Sequence, residues 1–124
     1  MKWIFGKELK GFWGQTLLQD GVVYASSAPN ILHALDPETG VEHWRLPLGH
    51  DSVGGVGLQI GGGNGQIYVT NEDGDFFIVR PGDKPELLAT FQLEDSPAEY
   101  GRATVCEHGL CVPTQTGVLM LRLP

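Results

Sequence analysis

The stretch at residues 20–49, DGVVYASSAPNILHALDPETGVEHWRLPLG, decides the fold. Asp20-Gly21 is a two-residue hairpin signal, because a type I′ turn needs positive φ at both central positions. The apolar runs at 22–24 and 31–35 read as strands, since β-branched and aromatic residues suit a pleated surface. DPETG at 36–40 turns the chain, and the next run carries Trp44. The stretch therefore predicts two strands, a turn and a third strand.

The hairpin signal recurs twice at a spacing of 44 residues. Asn64-Gly65 and His108-Gly109 follow Asp20-Gly21 at that interval, and a strand-like run follows each pair. The next strand of each unit also has a counterpart, at 31–35, 76–79 and 118–121. Such a period, with four short strands per unit, is typical of a β-propeller blade. The chain is therefore predicted to be all-β, with three four-stranded blades that make a half-propeller.

Ala34-Leu35-Asp36, Thr39-Gly40 and Trp44 resemble the quinoprotein-type (PQQ-like) propeller repeat, which runs ALD-x-x-TG-x-x-x-W. The resemblance implies that Trp44 docks against the neighbouring blade. The first repeat alone carries the full motif, because the second has RPGD at 80–83 and Leu88 in place of the tryptophan.

Quinoprotein dehydrogenases of the resembled family use a pyrroloquinoline cofactor, a calcium ion, an adjacent-cysteine disulfide and catalytic acids. The two cysteines of this chain are not adjacent, and no matching acidic constellation is present. The resemblance therefore implies the non-catalytic branch, and we expect no cofactor, no catalytic residue and no bound metal.

The repeat divides the chain into an outer strand at 2–5, blades at 14–46 and 58–93, and a partial blade at 102–123. The first strand has no blade of its own, and the third blade lacks its outer strand. Two copies could repair both faults by exchanging these strands, which gives a six-bladed homodimer with two-fold symmetry. The alternative is a fragment of a longer propeller.

Charge and hydropathy exclude some partners. The chain has 8 Lys and Arg against 15 Asp and Glu, a net charge of −7, which leaves no basic face for nucleic acid. No run of 18 apolar residues is present, so we expect no membrane-spanning helix. Residues 1–7 lack the apolar stretch of a signal peptide. A cytoplasmic protein is expected, or the mature form of an exported one.

Several stretches look chemical but are expected to be structural. GGGNG at 61–65 lacks the Lys-Ser/Thr of a phosphate loop and reads as an inner strand with its turn. NEDGD at 71–75 lacks the flanking helices and later Glu of a calcium loop and reads as a solvated turn. HDS at 50–52 holds triad residue types, but consecutive residues cannot converge as a triad. His33, inside an apolar strand, is expected to be a hydrogen-bonded partly buried side chain.

Cys106 and Cys111 bracket the third hairpin turn. With the turn at His108-Gly109 they would face each other as the closer, non-hydrogen-bonded pair, which makes a disulfide geometrically possible. The alternative is two small apolar residues that stay reduced, as is usual in the cytoplasm.

Two classes of function remain open. One is a propeller scaffold for protein–protein interaction; the other is a small-molecule or carbohydrate-binding propeller, or an enzyme with its site on the loop face. The loops that lead into the inner strands share one face with those between the second and third strands. Aromatic and charged residues there suit either class. The candidate binding residues are Trp13, His50, Asp51, Tyr100 and Arg102.

Overall fold

A computed structural model describes residues 3–6, 16–27, 30–48, 58–71, 75–92, 104–106, 109–113 and 116–122. These residues form eleven antiparallel strands in three sheets of four, four and three strands. The first sheet holds β1 (Leu17–Gln19), β2 (Val22–Ser27), β3 (Ile31–Leu35) and β4 (Glu42–Pro47). The second holds β5 (Gln59–Gly63), β6 (Gln66–Thr70), β7 (Asp75–Arg80) and β8 (Glu86–Gln92). The third holds β9 (Thr104–Cys106), β10 (Gly109–Pro113) and β11 (Val118–Leu121).

The first two inner hairpins form as their turn residues predict. Asp20 and Gly21 have φ of 51° and 76°, and Asn64 and Gly65 have 53° and 72°. Positive φ at both central residues matches the twist of the flanking strands. GGGNG at 61–65 is therefore an inner strand and its turn, as expected.

The third hairpin has a different register from the one predicted. Cys106 pairs with Gly109, and Cys111 pairs with Thr104, so the two cysteines are not opposite each other. This register buries Leu110 and Val112 against the second sheet. The predicted facing cysteine pair was therefore wrong, because Gly109 belongs to the strand pairing and not to the centre of the turn.

The outer strands each contain a β-bulge at the same place. The register shifts between Ala34 and Leu35 in the first sheet and between Ile78 and Val79 in the second. Each bulge puts one extra residue into the outer strand. Ala89 therefore lies opposite Ile78, where Trp44 lies opposite Ala34 in the first sheet. The predicted substitute for the tryptophan, Leu88, was one residue off.

Two apolar cores lie between successive sheets. The first is enclosed by the first and second sheets, and the second by the second and third. The buried members of the first core are Tyr24, Leu32, Ala34, Leu48, Leu58, Ile60, Ile67, Val69, Phe77 and Val79. Those of the second are Tyr68, Phe76, Ile78, Leu110 and Val112. The sheets thus stack face to face in chain order, as propeller blades do.

The inner strands of the three sheets lie side by side, with β5 in contact with both β1 and β9. A Cβ on Gly62 would lie 2.9 Å from Leu17 Cδ2, and one on Gly63 would lie 2.8 Å from Val105 Cβ. A side chain at Gly63 would meet the β-branched Val105 directly, whereas one at Gly62 would have to displace the ends of the Leu17 and Gln19 side chains. The described part of the chain contains no helix that is long and apolar enough to span a membrane.

Candidate functional site

The five predicted binding residues, Trp13, His50, Asp51, Tyr100 and Arg102, lie outside the described residues. The predicted loop face therefore stays a prediction. Among the described residues, the candidate features are the two end faces of the stack, a hydrogen-bonded network in the first sheet, and a pocket between the first two sheets.

Trp44 docks against the next sheet. Its Nε1 donates a hydrogen bond of 3.1 Å to the carbonyl oxygen of Gly82, in the β7–β8 turn. Its ring lies 5.9 Å, centroid to centroid, from the ring of Tyr24 and packs on the first core. The role that the family resemblance implied for Trp44 is therefore confirmed.

Trp3 makes the corresponding contact on the first sheet. Its Nε1 donates a hydrogen bond of 2.9 Å to the carbonyl oxygen of Pro37, in the β3–β4 turn. A Cβ on Gly40 would lie 2.9 Å from Trp3 Cγ, so the indole rests on a position that needs glycine. Residues 3–6, however, form no strand with any described residue. The segment makes the contact of an outer strand without pairing with any described strand.

The two end faces of the stack carry exposed apolar side chains. Ile4 (56% exposed) and Leu18 (68%) lie at the first end, with Leu18 on the face of its sheet turned away from the second sheet. At the other end, Val118 (72%) and Met120 (49%) lie on the outward face of the third sheet. The described residues include six exposed large apolar side chains, and these four are among them.

In the described part of the chain, the third sheet ends at β11. Among the described strands, β11 pairs with β10 alone. The other side of an edge strand presents unpaired backbone N–H and C=O groups, which invite a further strand.

A hydrogen-bonded chain crosses the first sheet through Ser27, His33, Glu42 and Arg45. Ser27 Oγ lies 2.7 Å from His33 Nε2, and His33 Nδ1 lies 2.6 Å from Glu42 Oε2. Arg45 Nε donates to Glu42 Oε1 over 2.9 Å. The order of groups is that of a hydrolytic triad. Ser27 and His33 are nevertheless 0% exposed, so no substrate reaches them. The hydrogen-bonded network instead links strands β2, β3 and β4.

Burial and hydrogen bonding shift the pKa values of His33 and Glu42 in this network. Desolvation lowers the pKa of His33, and it outweighs the opposing influence of Glu42. Desolvation would raise the pKa of Glu42, but hydrogen bonds from His33 and Arg45 lower it overall. His33 is thus a buried and hydrogen-bonded side chain, as expected, with Phe5 packed edge-on at 5.4 Å.

This hydrogen-bonded network was not predicted from the sequence, although the sequence carries a signal for it. On the paired strands β2 and β3, His33 lies opposite Ala25 and Ser27 lies opposite Ile31. Each pair is two residues from the other, so the side chains of His33 and Ser27 lie on the same face of the sheet. Polar side chains at such positions of paired strands lie on one face of the sheet.

An open pocket of about 470 Å³ lies between the first and second sheets, beside Trp44. The β1–β2, β5–β6 and β7–β8 turns build it together with strands β2 and β4. Its lining consists of Asp20, Val22, Tyr24, His43, Trp44, Gly65, Pro81, Gly82 and Asp83. This volume falls in the range of small-ligand sites.

Burial and the nearby charge of Asp20 raise the pKa of Tyr24, so its hydroxyl keeps its proton at neutral pH. The described residues contain no group of three or more His, Cys, Asp or Glu that could hold a metal ion. The predicted turn at 71–75 is described at its ends, where Asn71 Nδ2 donates to Asp75 Oδ2 over 2.9 Å.

No family model matches the sequence, and no curated protein matches it. Solved structures do. BamB from Moraxella catarrhalis superposes with a TM-score of 0.63 at 20% identity, over 84% of this chain and 29% of that one. Glutaminyl cyclase from Myxococcus xanthus superposes with a TM-score of 0.61 at 14% identity, over 89% of this chain and 49% of that one.

The chain thus spans less than a third of one matched structure and about half of the other. At these identities the likeness concerns the fold. Both matched structures are propellers, and the sheets described above stack as blades do. The chain has the β-propeller fold that its quinoprotein-type repeat predicts.

Proposed function

We propose that this chain is a non-catalytic propeller scaffold for protein–protein interaction, and that two copies close into a six-bladed ring. The observation that supports this proposal most is that each end of the stack has a backbone segment without a strand partner among the described residues. A docked segment at 3–6 has no described sheet, and an open edge at β11 has no described neighbour.

Strand exchange would give both segments a strand partner at once. The segment at 3–6 of one copy would add to β11 of the other, with Trp3 still in its place on its own first sheet. The contact would bring together the end faces that carry Leu18 and Ile4 on one copy and Val118 and Met120 on the other. Burying apolar surface of this kind stabilises an interface, and closure leaves no free edge.

The number of sheets agrees with this arrangement. Propellers contain about four to eight blades, so three cannot close a ring, whereas two copies of three give six. A two-fold axis relates the copies and makes the two junctions identical. The rival arrangement, in which further blades of a longer chain supply the missing contacts, uses the same two faces.

Light scattering coupled to size exclusion tests the assembly. At tens of micromolar we expect twice the chain mass of 13.4 kDa. The variants Val118→Lys and Leu18→Lys should shift the mass toward the monomer, because each buries a charge at the junction. The matched control is Leu87→Lys, since Leu87 is 46% exposed on β8 of the middle sheet, which lies between the other two.

Deletion of residues 1–6 should also abolish the dimer, leaving monomer or aggregate. Near-ultraviolet circular dichroism of each variant reports whether the blades remain folded. A monodisperse monomer of the full chain at these concentrations would contradict the dimer, and an unchanged mass for Val118→Lys would contradict this interface.

The second candidate is a ligand-binding propeller or an enzyme. The same fold carries an enzyme in the glutaminyl cyclase match. In this chain the buried Ser27–His33 pair does not favour hydrolysis, because it is closed to solvent. The interblade pocket beside Trp44 favours binding.

A further inference from the structure

The polar side chains that line the interblade pocket are those of Asp20, Tyr24, His43, Trp44 and Asp83. Asp20 and Asp83 each contribute a carboxylate to the lining. The one indole N–H there, on Trp44, is already donated to the Gly82 carbonyl oxygen. The two carboxylates only accept hydrogen bonds, so a ligand that carries N–H donors matches them.

The two carboxylates are not neutralised by the described part of the chain. Neither Asp20 nor Asp83 forms an ion pair or accepts a side-chain hydrogen bond from a described residue. Lys84 follows Asp83 in the turn but does not line the pocket. Two carboxylates at one opening, in a chain of net charge −7, attract a positive group.

A buried polar side chain without a partner also belongs to this pocket. Tyr24 is 2% exposed and lines the pocket, and its hydroxyl has no hydrogen bond to any described residue. The hydroxyl oxygen itself is reached from the pocket and is not sealed in the core, so its hydrogen-bonding capacity is open to a ligand. A bound ligand with N–H groups would supply a hydrogen bond, since the hydroxyl oxygen can accept.

Aromatic faces complete the chemistry. Trp44 is half-buried and lines the pocket, with Tyr24 beside it. Cations bind over the faces of tryptophan and tyrosine rings, and arginine does so most often in proteins. Carboxylates give a planar guanidinium two parallel hydrogen bonds.

We infer that the interblade pocket binds an organic cation, a guanidinium or ammonium group, between Trp44 and the carboxylates of Asp20 and Asp83. The group would belong to a basic side chain of a protein partner or to a free amine. The pocket lies within one copy of the chain, so the inference holds whether or not the chain dimerises.

The test is a titration of the isotope-labelled full chain, followed by amide and indole N–H chemical shifts. The probes are N-acetylarginine amide and a neutral pentapeptide with one central arginine. We expect binding in the millimolar range for the free amide, as its size allows. The largest shift changes should fall on the Trp44 indole N–H and on Gly82. The matched probes carry citrulline, which keeps the shape of arginine and lacks its charge, and these should not bind.

Two isosteric variants test the site from the side of the protein. Asp20→Asn keeps the turn, because Asn64 occupies the same position with nearly the same φ in the second sheet. Asp20→Asn and Asp83→Asn should each weaken binding about two- to fivefold, the effect expected of a partly exposed ion pair. Glu38→Gln, in the corresponding turn of the first sheet and outside the pocket, should leave affinity unchanged.

Binding of both arginine probes supports a site for the cation itself, and binding of the peptide alone supports a protein side chain as its source. Equal binding of the citrulline probes, shift changes away from the pocket, or unchanged affinity in both Asn variants would overturn the inference. Val118→Lys, which disrupts the proposed dimer, should bind the probes as the native chain does. A failed dimer and a failed cation site are therefore distinguishable.

Discussion

Trp44 and Trp3 make the same contact, but Trp44 lies on a strand and Trp3 lies on a segment that is not part of a described strand. Each indole N–H donates to a carbonyl oxygen in the turn before an outer strand, Gly82 for one and Pro37 for the other. Trp44 stands on β4, which is hydrogen-bonded along its length to β3. Trp3 stands on a segment that pairs with no described strand.

The difference separates the two kinds of contact that hold an outer strand in place. Docking of the indole fixes the strand against the next blade, and backbone pairing fixes it within its own blade. Trp3 has the first contact without the second. The docking interaction is thus carried by the side chain and the turn it meets, and the predictions below measure what each contact contributes.

The largest effect should follow Trp44→Ala. We expect a loss of about 3 kcal/mol in the free energy of unfolding, the low end for a large-to-small aromatic change, because the ring is half-buried. Trp3→Ala should cost about 1–2 kcal/mol, since fewer contacts are lost with a segment that has no described sheet. Urea unfolding at one fixed protein concentration, followed by far-ultraviolet circular dichroism, gives both values.

A loss below about 1 kcal/mol for Trp44→Ala would mean that docking contributes little to the stability of the blade pair. Equal losses for the two tryptophans would mean that strand pairing adds nothing to docking.

A smaller effect should follow Gly40→Ala, for two separable reasons. Gly40 has a φ of 76°, which costs an alanine roughly 1 kcal/mol, and the new Cβ would meet the Trp3 ring. Gly21 has the same φ, but a Cβ added there would have no atom within 4 Å beyond its own chain neighbours. Gly21→Ala therefore measures the backbone cost alone.

We expect Gly40→Ala to cost about 1 kcal/mol more than Gly21→Ala, and the excess to vanish when Trp3→Ala is also present. An excess that persists without the indole would place the clash somewhere other than Trp3. The readout is the same urea midpoint.

The smallest effect concerns pH and the hydrogen-bonded network under Phe5. Because the pKa of His33 is lowered in the folded protein, the unfolded chain takes up a proton first as pH falls. The stability that neutral His33 provides is complete above its unfolded pKa of about 6.5 and is lost as pH falls below it. From pH 7.5 to 5.5 the loss should be at most about 1.4 kcal/mol.

His33→Gln should flatten this pH dependence, whereas His43→Gln, at an exposed position of the neighbouring strand, should preserve it. The pKa of Glu42 is also lowered, and its contribution is lost at more acidic pH, below the ordinary range of a glutamate. An unchanged slope in His33→Gln would remove His33 as its source.

The first two hairpins could be predicted because Asp-Gly and Asn-Gly favour the positive φ angles that a type I′ turn requires. The third pair, His108-Gly109, has a glycine for another reason. A Cβ on Gly109 would collide with the backbone carbonyl of Leu121 on the neighbouring strand. A glycine serves both needs, and the sequence does not distinguish them. The turn was therefore placed one residue too late and the strand pairing was two residues off.

The outer strands show a second limit. A β-bulge leaves no mark in the spacing of apolar residues, so Leu88 rather than Ala89 was matched to Trp44. The pocket shows a third limit, since Asp20 and Asp83 are 63 positions apart and meet through blade packing. Docking of Trp44 could be foreseen because the repeat motif carries that residue together with its turn.

The glycines of β5 bear on how many blades a ring can hold. Without side chains at Gly62 and Gly63, the first and third inner strands approach β5 closely from both sides. Strands that crowd the hub leave a narrow axis and a wide angular step from blade to blade. A wide step closes the circle after few blades, and bulkier residues there would spread the hub and shrink the step. We therefore expect a side chain added at Gly63, beside Val105, to change the angle between the second and third sheets.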